Sequence, residues 1–188
     1  YELFPLEEIE KFPEFISSRS GLSGLNVTIP YKEKIIPFLD ELDETAKAVG
    51  AVNTLQFKFQ NSSFKIVGHN TDIDGFRQSL KPFLTSAHER ALILGTGGAS
   101  KAVEYVLKQI GVECIFASRT KKIIPGKTVL AYSDLNEYVM KACKLIVNCS
   151  PVGTFPDVNE APQIPYEFIT PEHFLYDLIY NPAETEFL

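Results

Sequence analysis

The spacing of apolar residues changes character along the chain, and each change predicts an element. From Asp40 to Val49, "DELDETAKAV" sets Leu42, Ala46 and Val49 on one helical stripe, spaces Asp43 and Lys47 for an i,i+4 ion pair, and meets a glycine stop at Gly50. The next stretch, "TLQFKFQNSSFKIVGHNT", alternates instead. Leu55, Phe57 and Phe59 share one face, Asn61 and Ser62 interrupt, and Phe64 and Ile66 resume, which predicts a β-hairpin. "GFRQSLKPFLTSAHER" reads as a linking helix that frays at Pro82, with Asp74 as its cap and residues 85 to 90 as a polar seam. Residues 1–85 are therefore expected to form a mixed α/β unit.

Past the seam the pattern becomes that of buried parallel strands. A short apolar run over 91 to 94 leads into a glycine cluster. A helix follows with Ala102, Val103, Val106, Leu107 and Ile110 on one face, Gly111 ends it, and "VECIFA" (112 to 117) completes a βαβ unit. Further strands are predicted at 144 to 148 and 174 to 179, with a short helix over 134 to 142 capped by Ser133 or Asp134. Residues 86–188 thus read as a Rossmann-like doubly wound nucleotide-binding domain, and the fold class is α/β. One departure stands out. Only about ten residues separate Thr120 from the next strand near Leu130, too few for an ordinary crossover helix.

Composition narrows the partners. The 188 residues are 45% hydrophobic and 22% charged, with a net charge of −6, which disfavours a nucleic-acid surface and leaves small molecules as the expected partners. No apolar run approaches the roughly 18 residues of a membrane helix. Cys114, Cys143 and Cys149 each adjoin apolar segments and read as small buried thiols, as in a reducing cytoplasm. The opening "YELFPLEEIEKF" and closing "NPAETEFL" read as cuts through a longer chain, with no signal sequence.

"LILGTGGASKAV" carries candidate chemistry. Gly95 permits a tight turn, Gly97 lets a pyrophosphate approach the backbone, and the helix start offers free N–H groups; Ser100 fills the third position of the usual pattern. The second strand ends in "ASRTKK" where an NAD-binding chain would have an acid. Ser118 and Arg119, followed by Lys121 and Lys122, point to a 2′-phosphate and hence to NADP.

Three polar islands close the apolar segments of the first unit: "NVTIPYK" (26 to 32), "GAVNT" (50 to 54) and "GHNTDIDGF" (68 to 76). With these motifs in this order the chain resembles the shikimate dehydrogenase family over essentially its whole length. The resemblance implies NADP-linked interconversion of 3-dehydroshikimate and shikimate, a step toward chorismate and the aromatic amino acids. It implies Lys32 and Asp72 as the catalytic pair and Thr28, Asn53, Asp72 and Tyr180 as substrate contacts. For the cofactor it implies Gly95, Thr96, Gly97, Gly98, Ala99, Ser118, Arg119, Thr120, Ser150, Val152 and Leu178, with no metal. A cytoplasmic monomer or homodimer is expected.

The chemistry asks for the same residue types. Hydride addition to a ketone leaves negative charge on oxygen, which a positioned ammonium stabilises and protonates. Lys32 suits that role, with Asp72 to orient it. In the oxidative direction a neutral amine is needed, so alcohol oxidation should speed up on the alkaline side. His69 is a weaker proton-donor candidate, His88 and His173 have no expected role, and Cys149 adjoins the nicotinamide region without a base to activate it. A quinate/shikimate dehydrogenase using NAD, and a catalytically silent NADP-binding relative, are the competing readings.

Overall fold

The computed structural model describes residues 2–60 and 63–188. It divides into two compact units, Tyr1–Ile73 and Asp74–Leu188. That division falls ahead of the polar seam read from the sequence at 85 to 90.

The first unit begins with a 3₁₀ turn and α1 (Phe12–Ser17), followed by strands β1 (Gly24–Asn26) and β2 (Glu41–Leu42), helix α2 (Glu44–Val49), and strands β3 (Thr54–Gln60) and β4 (Ser63–His69). The sheet order is β1-β3-β4-β2, with β2 parallel to β4 and the other pairings antiparallel. The predicted hairpin is β3–β4, with Phe57 opposite Ile66 and Phe59 opposite Phe64; the interrupting Asn61 and Ser62 lie outside the described residues. Ile35, Ala46, Val52, Leu55, Phe57 and Ile66 form its core.

The helix expected from Asp40 starts only at Glu44. Asp43 is its N-cap: one carboxylate oxygen accepts from the Ala46 N–H at 2.6 Å and the other lies 2.8 Å from His69 Nδ1. Asp43 pairs with His69 and the helix end instead of Lys47, its two carboxylate oxygens being engaged one by each. Gly50 ends the helix in the left-handed region, φ +66, as read from the sequence.

The division between the units lies inside α3 (Asp72–Leu80), which a 3₁₀ turn at Lys81–Phe83 terminates beside Pro82. The second unit contains β5 (Arg90–Leu94), α4 (Gly98–Gln109), β6 (Glu113–Ser118), β7 (Thr128–Ala131), α5 (Glu137–Ala142), β8 (Leu145–Asn148) and β9 (Phe174–Asp177). All five strands are parallel, in the order β7-β6-β5-β8-β9. The order reverses between β5 and β8, and ligands of doubly wound sheets sit outside the strand ends at such a reversal.

Ala91 to Leu94 and Leu145 to Val147 are fully buried, as strands covered on both faces require. Ala102, Val103, Val106 and Leu107 bury the inner face of α4, whereas Ile110 lies past its last turn and is half exposed. The cap of α5 is Asn136, which accepts from the Tyr138 and Val139 N–H groups; Ser133 and Asp134 belong to a preceding 3₁₀ turn. As the spacing required, residues 119–127 between β6 and β7 form no helix.

Candidate functional site

Backbone hydrogen bonds draw the three polar islands of the first unit together. The Val27 N–H donates to Asn53 O at 2.7 Å, the Val52 N–H to Lys32 O at 2.7 Å, and the Asn53 N–H to His69 O at 3.0 Å. The side chains converge on the same place. Lys32 Nζ donates to Asp72 Oδ2 at 2.8 Å, and Asn53 Nδ2 donates to Asp72 Oδ1 at 2.7 Å. Asn53 Oδ1 in turn accepts from the Thr71 N–H at 3.0 Å and the Thr54 hydroxyl at 3.0 Å, so the amide is held from both ends. The Lys32 side chain is 18% exposed and that of Asp72 35%, which leaves a cation and a carboxylate near the surface with their directions set.

Asn70, a residue not singled out from the sequence, builds the base of this cluster. It is buried, donates to Ala51 O at 2.9 Å, and accepts from the Asp72 N–H at 3.1 Å, fixing where α3 begins. That is why α3 starts at Asp72, earlier than expected, and why Asp74 sits inside its first turn, paired with Arg77 at 3.0 Å, instead of capping it. Thr28 lies exposed just past β1, its carbonyl accepting from the Tyr31 N–H at 2.9 Å. His69 Nδ1 faces Asp43.

In the second unit the glycine loop follows β5. Gly95 has φ +105, and a Cβ there would stand 3.2 Å from Cys149 O and 3.3 Å from Ser150 N, so both its conformation and its contact with the loop after β8 call for glycine. Around Gly97, the N-cap of α4, a Cβ would meet nothing within 4 Å, and with no side chain it leaves the first N–H groups of α4 uncapped. An open cradle with unpaired amides at a helix start suits a pyrophosphate. Ser100, in the third pattern position, is buried and donates to Gly97 O at 2.7 Å, bracing the loop from behind.

The loop after β8 is organised by Asn148, fully buried and likewise missed from the sequence. Its Oδ1 accepts from the Ser150 N–H and hydroxyl, and its Nδ2 donates to Asp177 Oδ1 at 3.1 Å. Asp177 also accepts from the Ile179 N–H and the Thr185 hydroxyl, which ends β9 two residues before the predicted 179. Val152 N–H reaches Ser150 Oγ at 3.4 Å, and Leu178, half-buried, donates its N–H to Asn148 O.

Residues 1–55 match the family profile described as the shikimate dehydrogenase substrate binding domain. A "Shikimate dehydrogenase (NADP(+))" of Carboxydothermus hydrogenoformans is 39% identical over 198 residues, covering 98% of this chain and 69% of that protein. The chain belongs to the shikimate dehydrogenase family. Among solved structures, a shikimate dehydrogenase from Aquifex aeolicus superposes with a TM-score of 0.75 at 36% identity, covering 96% of this chain and 66% of that one. The Thermus thermophilus shikimate 5-dehydrogenase in complex with NADP(H) and shikimate gives 0.75 at 31% identity, covering 96% and 68%. The chain thus spans about two thirds of the length of these shikimate dehydrogenases.

In this chain the basic turn after β6 is tied both to itself and to the glycine loop. Ser118 is buried and its hydroxyl donates to Thr120 O. Arg119, Thr120, Lys121 and Lys122 are exposed, and Lys122 Nζ donates to Thr96 Oγ1 at 3.1 Å, joining the turn to the glycine loop. Tyr180 belongs to the second unit and is 92% exposed. Burial pushes the Cys114 thiol up to about 12 and the Cys143 thiol to about 11, and raises Cys149 as well, so none is a thiolate at neutral pH. Among the described residues no group of three or more His, Cys, Asp or Glu side chains is arranged to hold a metal, and no helix is long and apolar enough to cross a membrane.

Proposed function

We propose that the chain catalyses the reversible NADP-linked reduction of 3-dehydroshikimate to shikimate. The observation that carries this is the Lys32–Asp72–Asn53 network, an ammonium and a carboxylate 2.8 Å apart, braced by an amide and lying at the end of the sheet. When bound, the reduced nicotinamide supplies the hydride. Lys32 stabilises the charge that develops on the carbonyl oxygen and gives it a proton. Asp72 aims the ammonium and accepts a hydrogen bond from an adjacent substrate hydroxyl. Asn53 holds Asp72 in that orientation, and Thr28 and Tyr180 are proposed as further substrate contacts.

For the cofactor, Gly95, Thr96, Gly97, Gly98 and Ala99 are assigned to the pyrophosphate, and Ser118, Arg119 and Thr120 to the adenosine end. Ser150, Val152 and Leu178 are assigned to the remainder. Open space beside Gly97 and the uncapped start of α4 support the first assignment. Residues 1–85 are taken as the substrate-binding part and 86–188 as the cofactor-binding part. The protein is proposed to work in the cytoplasm as a monomer or homodimer.

The test is turnover of shikimate and of quinate, each with NADP and with NAD. Shikimate with NADP should give the highest kcat/KM. Faster turnover of quinate, or a preference for NAD, would overturn the proposal.

A further inference from the structure

The connection from β6 to β7 is where the second unit departs from its layered plan. A crossover helix would ordinarily cover the sheet there and anchor the turn that follows β6. In this chain a charged cluster occupies that place. Glu104, on the inner face of α4, is 8% exposed, and both of its carboxylate oxygens are engaged. Oε1 accepts from Lys108 at 2.8 Å and Oε2 from Lys127. The Lys127 ammonium also lies over the Phe116 ring of β6, 4.6 Å from its centroid, in a cation–π contact. Ile124 and Lys127 bridge across a turn in which Gly126 has φ +72, which aims Lys127 back at α4.

The same loop is fastened at its other end. Lys122 donates to Thr96 Oγ1 in the glycine loop, and Ser118 Oγ donates to Thr120 O. The stretch carrying Arg119, Lys121 and Lys122 is therefore stretched between two anchors, one on the glycine loop and one on α4. Burial acts to raise the Glu104 pKa, but the hydrogen bonds and charges of Lys108 and Lys127 outweigh it and the net shift is downward, so the carboxylate stays ionised at neutral pH. A largely buried ion pair is a weak source of stability, whereas a fixed one is well suited to setting the position of a loop.

We propose that Glu104 is a positioning residue for the cofactor's 2′-phosphate: through Lys127 it holds the basic turn where Arg119, Lys121 and Lys122 meet that phosphate. The proposal rests on the NADP reading above. Glu104 acts on the loop, so its loss should weaken ligands that carry the 2′-phosphate and spare those that lack it.

The experiment compares Glu104→Gln, Lys127→Met and the control Lys108→Met with the unaltered chain. Lys127→Met keeps an unbranched side chain of similar length without the ammonium, and Lys108→Met removes the arm of the cluster that does not touch the loop. Dissociation constants for NADPH and NADH are read from nicotinamide fluorescence, and tryptic cleavage at Arg119, Lys121 and Lys122 is followed without cofactor. Glu104→Gln and Lys127→Met should weaken NADPH about two- to ten-fold, the loss expected when a ligand must order a long side chain that was ordered beforehand. NADH binding should be unchanged, cleavage at the turn should accelerate, and Lys108→Met should resemble the unaltered chain. Equal weakening of both cofactors, unchanged NADPH binding, or an equal effect of Lys108→Met would overturn the positioning role. An unaltered chain that binds neither cofactor would overturn it together with the NADP reading.

Discussion

Removing the Asp72 carboxylate tests the network on which the proposed chemistry depends. Asp72→Ala deletes two hydrogen-bond acceptors, at 2.8 Å from Lys32 Nζ and 2.7 Å from Asn53 Nδ2, and leaves a lysine whose side chain is only 18% exposed without its counter-charge. At 2.8 Å the bare attraction is about 1.5 kcal/mol in a water-like dielectric and about 6 kcal/mol at an effective dielectric of 20. Desolvation and ordering cancel much of it, and because Asp72 keeps a third of its exposure the net coupling should be about 1–2 kcal/mol. The single variant loses more than the coupling. Asp72 also starts α3, where a carboxylate stabilises the helix by about 0.3–1 kcal/mol. A double-mutant cycle with Lys32→Ala removes that contribution, since it is present in both arms. Both residues lie in the first unit, and the coupling is read from urea unfolding of the unaltered chain, the two single variants and the double variant. A coupling below about 0.5 kcal/mol, the limit of ordinary additivity, would show that the pair is not a working contact and would remove the orienting role given to Asp72.

Further expectations concern catalysis, the glycine loop and pH. Lys32→Ala should lower kcat by about 10²- to 10⁴-fold with a much smaller change in KM, in steady-state kinetics of shikimate oxidation; a change in KM alone would make Lys32 a binding residue. Gly95→Ala forces a side chain into φ +105, 3.2 Å from Cys149 O, and should cost about 1–3 kcal/mol in thermal unfolding while weakening NADPH binding. For His88, burial first and then the nearby Lys144 hold the imidazole below its ordinary 6.5. Its unfolded form therefore binds a proton that the folded form refuses, so stability is complete above pH 6.5 and falls as pH drops below it. Urea midpoints measured from pH 7.5 to 5 should show that fall, and His88→Asn should flatten it.

Much of the layout was legible in the sequence because it is written in local spacing. Alternation over 55 to 66 specified the hairpin, apolar runs after residue 90 specified buried parallel strands, and Gly95, Gly97 and Gly98 between a strand and a helix specified the loop. The shortage of residues after Thr120 foretold that β6 and β7 would be joined without a helix. Lys32 and Asp72 were singled out together through the family resemblance of "NVTIPYK" and "NTD", since forty residues separate them and local spacing does not link them.

Tertiary structure decided the connections between those segments. Asp43 could serve an i,i+4 pair or a cap, and the choice follows from His69, brought beside it by β4. Asn70 and Asn148 carry no distinctive local pattern; their importance lies in amides that join one loop to another once strand pairing has set the distances. The Ser118 hydroxyl donates to Thr120 O, a partner that only the path of the turn after β6 supplies. Glu104 carries no distinctive local pattern, and only the return of the chain at Lys127 gives it a partner from another segment. Hydrophobic periodicity reports which face of a segment is buried. A polar side chain's partner depends on which other segment packs there, and that is settled only when the whole chain has folded.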